Sequence, residues 1–75
     1  MNVTIKFCRM CGGETQAQQV ADEIEKHMGI KSVLEDVGRG RFEIFVNDKE
    51  VWSKREHGRF PHSAEMVRLF KSIFK

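Results

Sequence analysis

The sequence has little of what marks several specialised protein classes. Its two cysteines are too few for the disulfide framework of a small secreted domain. No stretch approaches the ~18 consecutive apolar residues that a membrane-spanning helix needs, and the first residues lack the apolar region of a signal peptide. The formal net charge of +2 is too small to indicate nucleic-acid binding. These absences predict a cytoplasmic protein that binds neither nucleic acid nor membrane.

The chain is also short, with 75 residues. It lacks repeats, low-complexity segments and linkers, and its 40% hydrophobic and 32% charged residues are typical of a folded domain. A single domain over residues 1–75 is expected. Because so short a chain buries only about 60% of its unfolded surface, a large enclosed pocket is not expected. The oligomeric state does not follow from the sequence.

The first part of the chain, up to Gly29, predicts a strand followed by a helix. Apolar and polar residues alternate from Asn2 to Phe7, the period-two pattern of a strand with one buried face. Thr15 and Gln18 have the spacing of a capping box, which predicts that Thr15 is the N-cap of the first helix. Gly29 predicts the C-terminal cap of the same helix. The apolar face of this helix consists of Ala17, Val20, Ala21, Ile24 and Met28.

The rest of the chain predicts three more strands and a second helix. The strands are expected at residues 30–37, 42–46 and 50–53. The last two are joined at Asn47 and Asp48 as a tight hairpin. Residues 54–59 predict a solvated loop, and Pro61 predicts the first turn of the helix that follows. The apolar face of that helix consists of Met66, Leu69, Phe70, Ile73 and Phe74.

The resulting order is β-α-β-β-β-α. It predicts an α/β fold with a four-stranded mixed sheet and two helices, similar to a reduced thioredoxin-like fold. The first two strands are expected to be parallel, so that loops 38–41 and 54–61 lie at the same sheet edge as the end of the first strand. Arg39, Arg59 and Phe60 are therefore candidate contacts for a glutathione carboxylate or an acidic redox partner protein.

Two cysteines, Cys8 and Cys11, lie between the first strand and the first helix. The thiolate is the reactive form of cysteine, and a helix N-terminus and nearby cations, here Lys6 and Arg9, stabilise it. Cysteines at this spacing can close a small disulfide, which is a reversible two-electron couple. The arrangement predicts thiol–disulfide redox activity carried by Cys8 and Cys11, with Arg9 as a further candidate contact for the substrate or partner.

Other uses of the same cysteines stay open. Inert, small hydrophobic residues are one alternative. A zinc site shared with His57 and His62 is another, although segment 12–56 is far longer than the ~12–15 residues between the ligand pairs of a zinc finger. A soft-metal module that binds Cu(I) or Zn(II) is the second hypothesis, because thiolates suit these ions. A protein-binding adaptor is the third. The leading hypothesis requires no cofactor and no metal ligand.

Four segments together resemble the selenoprotein W family of small thioredoxin-like proteins. They are residues 3–11 with the cysteine pair, FEIFVNDK at 42–49, WSK at 52–54 and GRFP at 58–61. In that family, selenocysteine or cysteine stands at the position that matches Cys11. The resemblance implies that Cys11 is the more reactive group, that Cys8 is its partner, and that the redox work is linked to glutathione or thioredoxin.

The position of the helix predicts the same order of attack. With Thr15 as N-cap, Cys11 lies about one turn nearer than Cys8 to the helix N-terminus, whose dipole acts mainly within the first turn. Cys11 is therefore expected to be the attacking thiol, the reverse of the order in thioredoxin. True thioredoxins also place a cis-proline before the third strand, where this sequence has Gly38-Arg39-Gly40. The surface that holds a substrate is expected to differ accordingly.

Overall fold

One mixed sheet organises the computed structural model, which describes residues 2–73. Its strands are β1 (Val3–Phe7), β2 (Ser32–Asp36), β3 (Glu43–Val46) and β4 (Lys49–Ser53). The strand order is β2-β1-β3-β4. Strand β1 is parallel to β2 and antiparallel to β3, and β4 is antiparallel to β3. The predicted four-stranded mixed sheet is confirmed, and β2 and β4 are its two edge strands.

Two long helices cover one face of this sheet, as predicted. They are α1 (Gly13–Met28) and α3 (Ser63–Ile73); a 3-10 turn at Arg9–Cys11 precedes α1, and a one-turn helix α2 (Lys54–His57) follows β4. No strand follows α3 within residues 2–73, and Phe74 lies outside this range. None of the helices in the same range is long and apolar enough to cross a membrane.

Helix α2 corrects the prediction of a solvated loop over residues 54–59. It ends at Gly58, which adopts a left-handed conformation (φ 71°) and donates its N–H to the Lys54 carbonyl over 2.6 Å. A left-handed residue closes a single helical turn without the steric cost that a side chain would impose. Pro61 is also displaced from its predicted position, since it lies before α3 rather than in its first turn.

The core lies between the sheet and the long helices. In β1 the buried positions alternate with half-buried ones, so that Val3, Ile5 and Phe7 all face the helices. Val20 and Ile24 of α1 and Met66 and Phe70 of α3 pack against them. The opposite face of the sheet has no helix over it in the described part of the chain. The predicted apolar faces therefore form one core, apart from Ile73, which is exposed, and Phe74, which lies outside the described residues.

Helix α1 begins earlier than the capping box predicts. Its N-cap is Gly12, in a left-handed conformation (φ 79°), and no side chain caps the helix. The Gly12 and Gly13 N–H groups donate instead to the carbonyls of Arg9 and Cys8, at 3.1 and 2.9 Å. The prediction of Thr15 as N-cap is wrong, because the 3-10 turn already satisfies the first amides of the helix. Gly29 is confirmed as the C-cap (φ 69°).

Three loops meet at one end of the sheet, where β1 ends. The Val37 N–H donates to the Phe7 carbonyl (2.8 Å), and the Lys54 N–H donates to the Phe42 carbonyl (2.9 Å). These bonds hold the segments after β2 and β4 beside the end of β1. At the opposite end of the strands, Asn47 and Asp48 take left-handed conformations (φ 50° and 69°), which confirms the predicted hairpin. The cysteines therefore lie where three chain segments converge.

Candidate active site

Cys8 and Cys11 bring their sulfur atoms within 2.9 Å of each other. Cys8 directly follows β1 and only 4% of its surface is exposed, whereas Cys11 ends the 3-10 turn and is exposed. Both are free thiols. The site therefore offers one sulfur to solvent and holds a second sulfur directly behind it.

The backbone around Cys8 explains this approach. Its carbonyl accepts hydrogen bonds from the N–H groups of Cys11 (3.3 Å) and Gly13 (2.9 Å), which fold the loop back on itself. At Gly13, a Cβ atom would lie 2.9 Å from the Cys8 carbonyl oxygen and 3.2 Å from its nitrogen. Only glycine permits this contact, so the start of α1 is packed directly against the backbone of the buried cysteine.

The loop after β2 covers the cysteine pair from the other side. Gly38, Arg39 and Gly40 all have positive φ angles, of 66°, 60° and 66°. This path brings Gly40 so close that a Cβ atom there would lie 3.9 Å from Cys11 Sγ. The Asp36 carboxylate joins the two loops, since it accepts the N–H groups of Arg9 (3.3 Å) and Gly38 (3.2 Å). Gly38-Arg39-Gly40 therefore stands beside the cysteines, as the sequence predicts.

The two thiols have opposite pKa shifts. The pKa of Cys8 is lowered, chiefly by the hydrogen bond from Cys11 and then by the Gly40 N–H. The pKa of Cys11 is raised by its hydrogen bond to Cys8 and by desolvation, which outweigh the Gly40 N–H and the charge of Lys54. These directions run against the expectation that the helix N-terminus favours a thiolate on Cys11. When the pair loses one proton, these directions favour the thiolate on Cys8, with the Cys11 thiol as its hydrogen-bond donor.

Lys54 is a further residue near the cysteines that the sequence does not single out. Its charge favours the thiolate of Cys11 and lowers the pKa of that group. The ammonium Nζ lies 4.3 Å from the centroid of the Phe60 ring, which in turn meets Phe42 edge to face at 5.2 Å. Phe60 is half-buried and packs on the core, so its ring supports the Lys54 side chain. No local sequence signal joins these residues, because the contacts are tertiary.

Lys54→Met is expected to slow the alkylation of Cys11 near neutral pH by roughly two- to fivefold, the range of an exposed charge–charge interaction. Without the ammonium group the pKa of Cys11 rises further and less thiolate is present. The rate constant with iodoacetamide, with the modified cysteine located by peptide mass analysis, measures this. High salt should shrink the difference from wild type. Lys26→Met is the matched control at the far end of α1, and an equal loss of rate there would contradict a role for Lys54.

A basic groove of about 390 Å³ adjoins the cysteines. Its lining includes the cationic side chains of Arg39, Arg41, Lys54 and Arg55 and a single carboxylate, Glu43, with which Arg41 forms an ion pair. Arg39 is thus in the groove, as predicted. Arg9 is exposed on the cysteine turn and pairs with Glu14 at 2.9 Å, next to a Met10 side chain that is 98% exposed. The groove suits an anionic group near Cys11.

Arg59 occupies a different position from the other predicted contacts. Its guanidinium donates two hydrogen bonds to the Glu65 carboxylate, at 2.8 and 3.0 Å, and lies 5.5 Å from the centroid of the Trp52 ring. It does not line the groove beside Cys11. The structure therefore brings Arg39 to the groove, places Phe60 against Lys54, and leaves Arg59 in a second hollow. Substrate contacts through these three residues stay predictions.

The Arg59 ion pair should make stability depend on pH. Arg59 lowers the pKa of Glu65 to about 2 from its ordinary value of 4.5. A carboxylate with a depressed pKa stabilises the fold above its unfolded pKa, and this contribution is lost as the pH falls from about 4.5 to 2. Glu65→Gln should lower the free energy of unfolding at pH 7, and the difference should vanish towards pH 2. Urea unfolding measures it, with the exposed Glu25→Gln as control; a difference that persists at pH 2 would refute the pairing.

No metal cluster accompanies the cysteines. Within residues 2–73 there is no group of three His, Cys, Asp or Glu side chains that could hold an ion. His57, a candidate partner in the zinc alternative, instead stacks on the Trp52 ring with centroids 3.7 Å apart and planes 2° from parallel. The described residues therefore do not bring these histidines and the cysteines together as a zinc site would require.

The chain is similar in sequence to a known protein family and to two mammalian proteins. It matches the family model of the Rdx family over residues 2–72. The protein called migration and invasion enhancer 1 is 29% identical over 72 residues, both in Mus musculus and in Bos taurus. These matches cover 95% of this chain and 63% of either relative, so the chain spans less than two thirds of their length.

Solved structures share the fold. A selenoprotein W-related protein from Vibrio cholerae superimposes with a TM-score of 0.90 at 22% identity, covering 99% of this chain and 96% of that one. A protein from Bordetella parapertussis does so with a TM-score of 0.90 at 21% identity, covering 97% and 96%. The thioredoxin-like fold and the likeness to selenoprotein W are thereby confirmed, and because the family model spans nearly the whole sequence, this chain belongs to the Rdx family.

Proposed function

We propose that this protein is a thiol–disulfide redox protein in which Cys11 reacts first with the substrate and Cys8 completes the reaction. The observation that carries this proposal is the 2.9 Å separation of the two sulfur atoms, with one exposed and the other buried behind it. A disulfide bond of about 2.05 Å is within reach of a small movement of either side chain. The pair is therefore arranged to alternate between dithiol and disulfide.

The reaction takes place in two exchanges. The Cys11 thiolate attacks one sulfur of a substrate disulfide RS–SR′, forms the mixed disulfide Cys11–S–S–R, and releases R′S⁻. The Cys8 thiolate then attacks Cys11 Sγ, forms the Cys8–Cys11 disulfide, and releases RS⁻. Two electrons pass from the protein dithiol to the substrate disulfide. A dithiol reductant or two molecules of glutathione return the protein to the dithiol by the reverse exchanges.

Exposure and charge assign the two roles. Only Cys11 is open to a bulky disulfide, because Cys8 is 4% exposed. The two sulfur atoms are 2.9 Å apart, so a proton can pass between them, and the thiolate can form on Cys11, without a rearrangement of the backbone. Once Cys11 is in the mixed disulfide it has no proton to donate to Cys8, but the Gly40 N–H, which also lowers the pKa of Cys8, still favours a Cys8 thiolate next to the bond that must break.

The natural partner in this proposal is glutathione or a thioredoxin-like protein. Arg39, Arg41, Lys54 and Arg55 would meet the carboxylates of glutathione or of an acidic partner in the groove beside Cys11. The cytoplasm is the proposed compartment, because thiols are kept reduced there and disulfide exchange has a ready source of electrons. No cofactor is needed for the exchange.

Soft-metal binding by the same cysteines is the second hypothesis. Two thiolates on one tetrahedral zinc ion, with Zn–S bonds of ≈ 2.3 Å, stand about 3.8 Å apart. The sulfur atoms here are 2.9 Å apart and would have to separate before they could share an ion. The spacing thus favours bond formation between the sulfurs over a shared ligand. A protein-binding adaptor that does not use the cysteines is the third hypothesis.

One set of measurements separates these functions. The reduced protein is equilibrated with glutathione redox buffers of graded potential, and the fraction of intramolecular disulfide is read by mass spectrometry after thiol blocking. The proposal expects a reversible two-electron transition at physiological potentials. Titration with Cu(I) and Zn(II) under the same conditions should give only weak binding. Tight stoichiometric metal binding would replace the redox proposal, and full cellular activity of a Cys8→Ser/Cys11→Ser variant would favour the adaptor.

A further inference from the structure

A second hollow, of about 640 Å³, lies beside strand β4. Its walls come from β4 on one side and from the start of α3 on the other, and it contains no residue of the cysteine loop. The half-buried Val51 and Leu69 give it an apolar floor that continues into the core. The hollow is therefore distinct from the groove at the reactive sulfurs.

Trp52 lines this hollow and carries an unused hydrogen-bond donor. The side chain is 5% exposed, and its indole N–H is buried with no acceptor among residues 2–73. An indole nitrogen can only donate, so nothing but an acceptor can satisfy it. The exposed His57 ring stacks over the indole, so a ligand must displace this ring in order to reach the buried N–H. The indole N–H of Trp52 therefore lacks the hydrogen-bond acceptor that a ligand could provide.

The charges of the hollow favour an acidic ligand. Arg59 and Glu65 neutralise each other through two hydrogen bonds. Arg68 lines the same hollow and forms no ion pair within the described residues. One positive charge is therefore uncompensated in the hollow that Trp52 also lines. A carboxylate is the acceptor that satisfies both, because charge-assisted hydrogen bonds are the strongest that these donors form.

The sheet edge determines the shape of the ligand. β4 is the last strand in the order β2-β1-β3-β4, so along its outer side no strand of the described chain takes up its backbone groups. An extended peptide can pair with such an edge and direct alternate side chains to one face. We propose that this hollow docks an extended, acidic segment of a partner protein, with one carboxylate placed between Arg68 and the indole N–H of Trp52.

Intrinsic fluorescence tests the proposal directly, because Trp52 is the single tryptophan and the chain has no tyrosine. The probe is a capped peptide of alternating valine and glutamate, about eight residues long to match a typical strand. Saturable change in Trp52 emission is expected with this peptide and not with its valine–lysine counterpart or with free glutamate. The Cys8→Ser/Cys11→Ser variant should bind the peptide equally well. A failure of the docking proposal can therefore be told apart from a failure of the redox proposal.

Two variants examine the contacts, with affinity measured by the anisotropy of a dye-labelled valine–glutamate peptide. Arg68→Glu should weaken binding about tenfold or more, while Lys26→Glu, the same charge change on distant α1, should not. Trp52→Phe keeps a ring for His57 to stack on and removes the N–H, so it should weaken binding, and urea unfolding measures the separate cost of the smaller ring in the core. Equal binding of the valine–lysine peptide, or an Arg68→Glu variant that binds like wild type, would overturn the proposal.

Discussion

Cys8→Ser is expected to accumulate a stable mixed disulfide on Cys11 when the reduced protein is treated with glutathione disulfide. The exposed Cys11 sulfur still attacks, but no second thiol stands behind it to release the bound glutathione. In Cys11→Ser the remaining sulfur is buried, and its reaction should be at least about tenfold slower, because access limits the exchange as much as thiolate content does. Intact-mass spectrometry at successive times measures both variants.

The result is informative because the two physical criteria disagree at this site. The lowered pKa of Cys8 taken alone would make Cys8 the nucleophile, whereas exposure makes it Cys11. Faster capture of glutathione by Cys11→Ser than by Cys8→Ser would show that thiolate content decides and that Cys8 opens to solvent. Unfolding in urea is the control, since a serine that unfolds the loop would expose either sulfur and erase the distinction.

Gly13→Ala is expected to lower the free energy of unfolding by about 1–3 kcal/mol, although alanine is the better helix former. The new Cβ would lie 2.9 Å from the Cys8 carbonyl oxygen, which belongs to the backbone and cannot rotate away. Relief of this clash must move the start of α1 away from the cysteine turn. The intramolecular disulfide should therefore also form less readily, which the glutathione redox titration measures.

Thr15→Ala provides the matched control for this prediction. Thr15 is exposed in the first turns of α1, and its hydroxyl does not cap the helix. The variant should change the free energy of unfolding by no more than about 0.5 kcal/mol. A decrease of about 1 kcal/mol in the free energy of unfolding, the usual cost of removing an N-cap side chain, would instead support the capping box that the sequence predicts. Gly13→Ala and Thr15→Ala thus distinguish a backbone contact from a side-chain cap.

The sequence predicts β1 and β3 well because burial alternates strictly along both strands. Alternation along β1 and the left-handed pair at Asn47 and Asp48 are local properties, and both appear where they are expected. Topology then places the loop of Arg39 beside the cysteines without any knowledge of side chains. These features can be read from the chain because each is determined within a few residues or by the direction of a strand.

The features that the sequence does not reveal depend on contacts between distant segments. Nothing local distinguishes the start of α1 at Gly13 from one at Thr15, because the choice depends on the 3-10 turn that Cys8 closes. The one-turn helix α2 is held by Gly58 and by the contact of Lys54 with Phe60. The different exposure of the two cysteines likewise results from packing around β1. Tertiary contacts override local propensity at each of these places.

The buried position of Cys8 also bears on damage by peroxides. A peroxide that oxidises Cys11 leaves a sulfenic acid, which further oxidant would convert irreversibly to the sulfinic form. The Cys8 thiol lies 2.9 Å from that sulfur and is shielded from the same oxidant. It can condense with the sulfenic acid, releasing water and forming a disulfide that thiols reduce again. The partner sulfur thus protects the exposed one from permanent inactivation.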